Sequence, residues 1–298
     1  MDTAKVGTGR TGLGTFLVLF ATVCMSTEAV AAKIAYEGGA TVMIVLTLRY
    51  ILAAVVFWLL IRVGRYDYRL SRKQLLSVLA LSLGTQTLTV LALFEAFRFI
   101  PAGMAILFLY LYPVLVTILA VFFLKEPLTL QKGLALIITL AGCVIILGQP
   151  VSNLDLRGVL LSLAAAVTNS VFLIGTARLL NSIQTPVYNA YVSTVVALAT
   201  GLLALSRGQA SLDFNRDAWL AIIALAIFAT VLAMAAFFRG IKEIGASRAA
   251  IISTFEPAAT AILAFLVLGE VLTIWQIAGG VIVLSGVLVL RMPQGRFS

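Results

Sequence analysis

The chain has 298 residues, of which 62% are hydrophobic and 11% charged, with a net charge of +9, no histidine and two cysteines. So little charge excludes a water-soluble domain of this size. Without histidine, and with only Cys24 and Cys143 in mid-run positions, no metal site, histidine-based catalytic centre or disulfide framework is expected, and no cofactor.

Taken in chain order, the sequence predicts ten apolar helices over residues 13–35, 40–62, 74–96, 102–124, 130–148, 156–180, 185–206, 217–241, 246–268 and 273–291. Each is about long enough to cross a hydrocarbon layer of roughly 30 Å. The first holds Glu28 and Lys33 and is longer than a signal-peptide core, so it reads as a retained span. The fold class is therefore an all-α integral membrane protein with a lipid bilayer as its solvent. The basic residues stand at span ends, which marks topology and argues against nucleic acid as a partner. Fifteen Lys and Arg fall on the side of the N-terminus, against Lys33, Arg98, Arg157, Arg207 and Arg216 on the other. By the positive-inside rule both termini are expected in the cytoplasm, with the protein in the inner or plasma membrane.

"LYPVLVTILAVFFLKE" at 111–126 is echoed by "FEPAATAILAFLVLGE" at 255–270, and the offset is constant: Pro113 maps to Pro257 and Glu126 to Glu270, both 144 positions on. Gly14 and Gly158, Ser26 and Ser170, Thr129 and Thr273, and Gly142 and Gly286 obey the same offset without a gap. Two repeats follow, at 10–148 and 154–292, each with five spans. An odd number of spans makes the second repeat enter from the opposite side, an inverted repeat of the kind that places a site near the midplane between the halves.

Polar and aromatic stripes on the spans supply candidate lining residues for a small-molecule substrate: Tyr50, Gln86, Tyr112, Asn169, Tyr191, Ser253 and Glu256. The same side chains could instead hold helices together. Pro113 and Pro257 remove a backbone donor and are expected to bend spans 4 and 9. Glu256 could bind a substrate amine, carry a coupling proton or pair structurally. Glu28 and Arg49 lie at matched depth on neighbouring spans, which points to an ion pair. Glu126 and Glu270 read as turn chemistry beside the N-cap residues Thr129 and Thr273. Gly279, Gly280 and Gly286 permit close helix contact, within a monomer or across a homodimer.

The segment "EAFRFIPAGMAILFLYLYPVLVTILAVFFLKEPLTLQKGLALIITLAGCVIIL" resembles the EamA-type repeat of the drug/metabolite transporter superfamily, as does "AFFRGIKEIGASRAAIISTFEPAATAILAFLVLGEVLTIWQIAGGVIVLSGVLVL". "LRYILAA" at 48–54 resembles the arginine-bearing second helix of that repeat. The resemblance implies a ten-helix exporter of small organic solutes; the inverted repeat points to a secondary transporter working by alternating access, and the lack of histidine, a metal cluster or a carboxylate dyad argues against an enzyme. Amino acids or related amphipathic metabolites are the first class; drugs and toxic compounds, or a lipid scramblase or channel-like activity, are the alternatives.

Overall fold

The computed structural model describes residues 8–96, 98–147, 155–269 and 271–290. Glu270 and most of the segment between the halves lie outside them, as do Lys5, Arg291 and Arg296. The described residues form helices and no strands. Span 1 is Thr8–Glu37, span 2 Val42–Gly64, span 3 Arg72–Ala96, span 5 Leu130–Leu147, span 6 Leu156–Leu179, span 7 Thr185–Ser206 and span 8 Arg216–Ile244. Span 4 is split into Ala102–Leu109 and Tyr112–Leu119, the latter running on through Ala120–Leu124. Span 9 is split into Ala246–Ser253 and Glu256–Leu268, and span 10 is Ile274–Val289. Nine of these segments are long and apolar enough to cross a membrane, and span 10 is a shorter apolar helix of 16 residues.

The ends of the helices repeat with the sequence. Ser71 and Asn215, 144 residues apart, cap spans 3 and 8 by accepting from Gln74 N and Ala218 N. Thr129 and Thr273 likewise accept from Lys132 N and Gln276 N. Lys125 and Gly269 close spans 4 and 9 in left-handed conformations, at φ 55° and 68°. That conformation is free for glycine and strained for lysine.

Packing reveals the relation between the halves. Gly142 of span 5 lies against Gly279 and Val283 of span 10, while Gly286 of span 10 lies against Ala135 and Thr139 of span 5. Gly14 meets Ile244, and Gly158 meets Ile100. Each pair turns into the other when 144 is added to one residue and subtracted from its partner, which is what a two-fold axis between the repeats produces. Span 5 and its counterpart span 10 run antiparallel, with Gln131 Nε2 donating to Val289 O at 2.7 Å near one end and Ile146 beside Gly279 near the other. Spans 2 and 7 are antiparallel too, as Thr47 meets Gly201 and Trp58 meets Thr194. Equivalent helices pointing in opposite directions put the axis in the membrane plane.

These contacts also bear on two expectations. Gly279, Gly280 and Gly286 make their close approaches inside the chain, to spans 5 and 9. Glu126 does more than shape a local turn: its carboxylate accepts from Ala246 N at 2.7 Å and pairs with Lys132 Nζ at 2.9 Å. It thereby caps the start of span 9 from the other repeat.

A methyl group at Gly142 would stand 2.5 Å from Val283 Cγ2 and 2.8 Å from Gly279 O. Gly142→Ala should cost about 1–3 kcal/mol through overpacking, read as a lowered thermal midpoint in detergent. Gly133→Ala on the same helix, where nothing lies within 4 Å, should leave the midpoint in place.

Candidate functional site

The site assembles where spans 4 and 9 break. A proline was expected to bend each helix; instead each helix stops and restarts. Tyr110 and Leu111 interrupt span 4, Thr254 and Phe255 interrupt span 9, and Pro113 and Pro257 sit in the first turn of the second segments. Proline suits that position because its missing N–H is not needed there and its φ is already helical. Glu256 opens the second segment of span 9, next to Pro257, where the positive end of the helix dipole faces its carboxylate. Ten residues from the start of the span, it lies about 15 Å deep at 1.5 Å per residue.

Around Glu256 the two halves bring polar groups together. Tyr110 faces its carboxylate, and Glu28 and Arg49 stand within electrostatic reach. Arg49 is bidentate to Glu28, with Nη1 to Oε1 at 2.7 Å and Nη2 to Oε2 at 3.1 Å. Its Nε donates to Thr230 Oγ1 at 3.1 Å, and its guanidinium lies 5.2 Å from the centre of the Tyr50 ring. Tyr50 Oη accepts from Gln86 Nε2 at 3.5 Å. On the other side of the break Tyr112 and Ser253 join their hydroxyls, and Ser170 donates to Tyr112 O at 3.3 Å. Asn169 is half-buried beside Ser170 at this level. The ion pairs of the described residues leave Glu256 without a cation of its own.

Of the sequence candidates, Tyr191 stands apart. Its hydroxyl donates to Tyr68 O at 3.1 Å and its ring packs edge-on against Trp58 at 5.3 Å. Trp58 lies nine residues beyond Arg49, about 13 Å along the helix, so Tyr191 belongs to the end of the protein that carries the loop after span 2. We call this the basic end, because Arg65, Arg69, Arg72, Arg239 and Lys242 gather there.

Tyr110 is the residue that the sequence reading passed over. In an unbroken helix two positions differ by about 200° and face opposite ways. The interruption at 110–111 brings both rings to the same place, with centroids 6.1 Å apart. Two stretches of π-helix, Ser82–Thr87 and Leu225–Leu232, were also invisible in the sequence. They correspond under the 144 offset, and such wide turns recur at functional sites. They carry Gln86 to Tyr50 and Thr230 to Arg49, both on span 2.

Toward the basic end the cluster is sealed by rings. Phe238 packs against Phe172 at 6.1 Å and Tyr188 at 5.6 Å, and the Tyr188 and Thr176 hydroxyls meet at 2.6 Å. All four side chains are buried. Span 8 there rests on spans 6 and 7, whereas the matching half of span 3 makes no comparable packing on spans 1 and 2 among the described residues. Glu28 keeps 41% of its side chain exposed on that open side.

An inverted repeat with broken helices meeting at buried charges is transporter architecture, and comparison with known proteins bears on it directly. The EamA-like transporter family matches residues 12–148 and again 156–292. The chain belongs to that family. This EamA-like chain is similar to an uncharacterized transporter, YcbK, of Bacillus subtilis, at 27% identity over 95% of both chains. It is similar to an uncharacterized transporter of Archaeoglobus fulgidus at 26%, over 82% of this chain and 86% of the relative. A solved crystal structure shares the fold with a TM-score of 0.79 at 20% identity, covering 93% of this chain and 95% of its own. EamA-like proteins are transporters, not enzymes, and so is this one.

The bidentate pair should show in a double-mutant cycle. Arg49→Gln should lower stability by about 1–2 kcal/mol, because it removes charge-assisted hydrogen bonds to a Glu28 carboxylate that stays partly exposed. Glu28→Gln in addition should restore part of that loss in chemical or thermal unfolding. A double variant no better than Arg49→Gln alone would assign the loss to the Thr230 contact.

Proposed function

We propose that the chain exports small organic solutes bearing a protonated amine, amino acids first among them, by exposing the Glu256 cluster alternately to the two sides of the membrane. The observation that carries this reading is a carboxylate at mid-depth that lacks a cation. A charge in that setting is costly and calls for a partner, and among the described residues Arg49 is already committed to Glu28. A substrate ammonium group supplies the missing cation. Tyr50, Tyr110 and Tyr112 offer rings and hydroxyls to the rest of the molecule, which suits amphipathic cargo. The same rings favour more apolar organic cations, so a drug-like amine is the second substrate class. Few cations free of carboxylates stand at mid-depth to receive a strongly anionic solute.

The paired breaks at Tyr110–Leu111 and Thr254–Phe255 serve as hinges in this reading, with Pro113 and Pro257 fixing where each second segment restarts. The basic end is taken as cytoplasmic, which places both termini inside the cell and the protein in the inner or plasma membrane.

The test is flux in proteoliposomes with a labelled amino-acid panel and one apolar amine, with and without a pH gradient. Saturable uptake with counterflow is expected; flux that does not saturate would indicate a channel or scramblase. Glu256→Gln should reduce saturable flux at least ten-fold while leaving the protein folded, and an unchanged rate would remove Glu256 from the binding role. Pro257→Ala should slow turnover several-fold with little change in abundance in the membrane. The reverse pattern would make the break a folding device.

A further inference from the structure

We propose that the cavity at the basic end, between spans 2, 7 and 8, is a second binding site, one that takes an anionic group, a carboxylate or a phosphate. It has a volume of about 490 Å³ and is separate from the Glu256 cluster. Asn189 on its wall directly follows Tyr188 of the aromatic seal, and Arg239 directly follows Phe238. The cavity therefore adjoins the side of the seal that faces the basic end.

Three cations line it, Arg65, Arg239 and Lys242, against one carboxylate, Asp67. Arg239 gives its Nε to Glu243 Oε1 at 2.9 Å, which leaves its terminal nitrogens for another acceptor. Asp67 Oδ1 is engaged by Arg69 N at 3.0 Å. Span 7 begins at the cavity with Thr185. Its N-cap residue Gln184 makes no side-chain cap hydrogen bond, so the Thr185 and Val187 amides on either side of Pro186 keep their donors at the positive end of the helix dipole.

The decisive observation is Asn189. Its side chain is fully buried at 0% exposure, and neither Nδ2 nor Oδ1 has a hydrogen-bond partner. Buried amides are ordinarily satisfied. One turn inside the helix, at a cavity with a surplus of positive charge, an unengaged Nδ2 donor suits an oxygen of an anion. Simple enrichment of basic residues at one membrane face explains the lysine and arginines but not a stranded amide beneath them. Two sources could deliver the group, a soluble anion from the water or the headgroup of an anionic lipid. Leu60, half-exposed on the cavity rim, would accommodate the latter's glycerol and chains.

Thermal unfolding of the full chain in detergent tests this without reference to transport. Inorganic phosphate and dioctanoyl phosphatidylglycerol are titrated separately, with dioctanoyl phosphatidylcholine as the zwitterionic control. A saturable rise in the midpoint with phosphate identifies the soluble anion as sufficient; a rise with phosphatidylglycerol only identifies the lipid headgroup. In either case Arg239→Gln and Asn189→Leu should weaken the apparent affinity at least ten-fold, and Arg69→Gln, outside the cavity, should not. Should Asn189→Leu fail to fold, the exposed Arg239→Gln and Lys242→Gln changes give the same readout. No saturable shift with either probe, or shifts equal in Arg239→Gln and the unaltered chain, overturns the proposal.

Discussion

Hydrocarbon leaves no water to satisfy an open peptide group, and that constraint governs this fold. Each unpaired N–H or C=O at mid-depth costs several kcal/mol, so a helix can be interrupted there only where protein encloses the gap. Spans 4 and 9 are both interrupted at mid-depth. The structure meets the constraint by placing the two breaks together. Tyr112 of one break joins its hydroxyl to Ser253 beside the other, and Ser170 donates to Tyr112 O across the halves. The tight glycine contacts between spans 5 and 10 hold the antiparallel arrangement that makes the breaks meet. Polar groups gathered for backbone reasons thus create the place where a charged side chain such as Glu256 can be kept.

The repeats agree in shape and differ in chemistry. Under the 144-residue offset Glu28 corresponds to Phe172, Arg49 to Ser193, Thr230 to Gln86 and Glu256 to Tyr112. One half of each pair is charged or engages charge, and the other is aromatic or neutral. The contact between Arg49 and Thr230 has no bonded image on the other side, because Ser193 Oγ and Gln86 Oε1 are both buried without partners. Duplication supplied two equivalent frameworks, and divergence put the ions on one of them. A dimer of identical repeats would have to bury two such ion pairs, each with its own desolvation cost.

Span positions were legible because the bilayer imposes length and apolarity directly on sequence, and the observed limits fall within a few residues of the expected ones for most spans. Caps such as Thr129 and Thr273 follow from residue type and spacing. Matched depth placed Glu28 opposite Arg49 by counting alone. What stayed hidden depends on three-dimensional closure. A proline signals a disturbance but not whether the helix bends or stops, and stopping is what draws Tyr110 alongside Tyr112. The π-helical turns leave no compositional trace; their sign is the hydroxyl of Thr230 reaching Leu225 O, five residues back. Glu126 is next to a turn in sequence, and its reach to Ala246 N exists only because the repeats interlock. Tyr191 shares a face with Thr194, yet it stands near the start of span 7, where both pack on Trp58 at the basic end.

The divergence of the halves also bears on the proposed cycle. At the basic end Phe172, Tyr188 and Phe238 close ring against ring, and each such pair is worth about 0.5–1.5 kcal/mol beyond area burial. The image of that seal at the other end would be built from Glu28, Ile44 and Phe94. Closing there would bring the exposed carboxylate of Glu28 into the packed interior, at a desolvation cost that its pairing with Arg49 only partly offsets. On the proposed cycle this would bias the empty protein toward the state in which the basic end is shut. An ammonium group at Glu256 would add a positive charge within reach of Glu28 and lower the cost of burying it. Differential stabilisation of that kind is what a ligand needs in order to shift an equilibrium between two states. In this reading the cargo's charge, and not its bulk, tips the balance between the two closures.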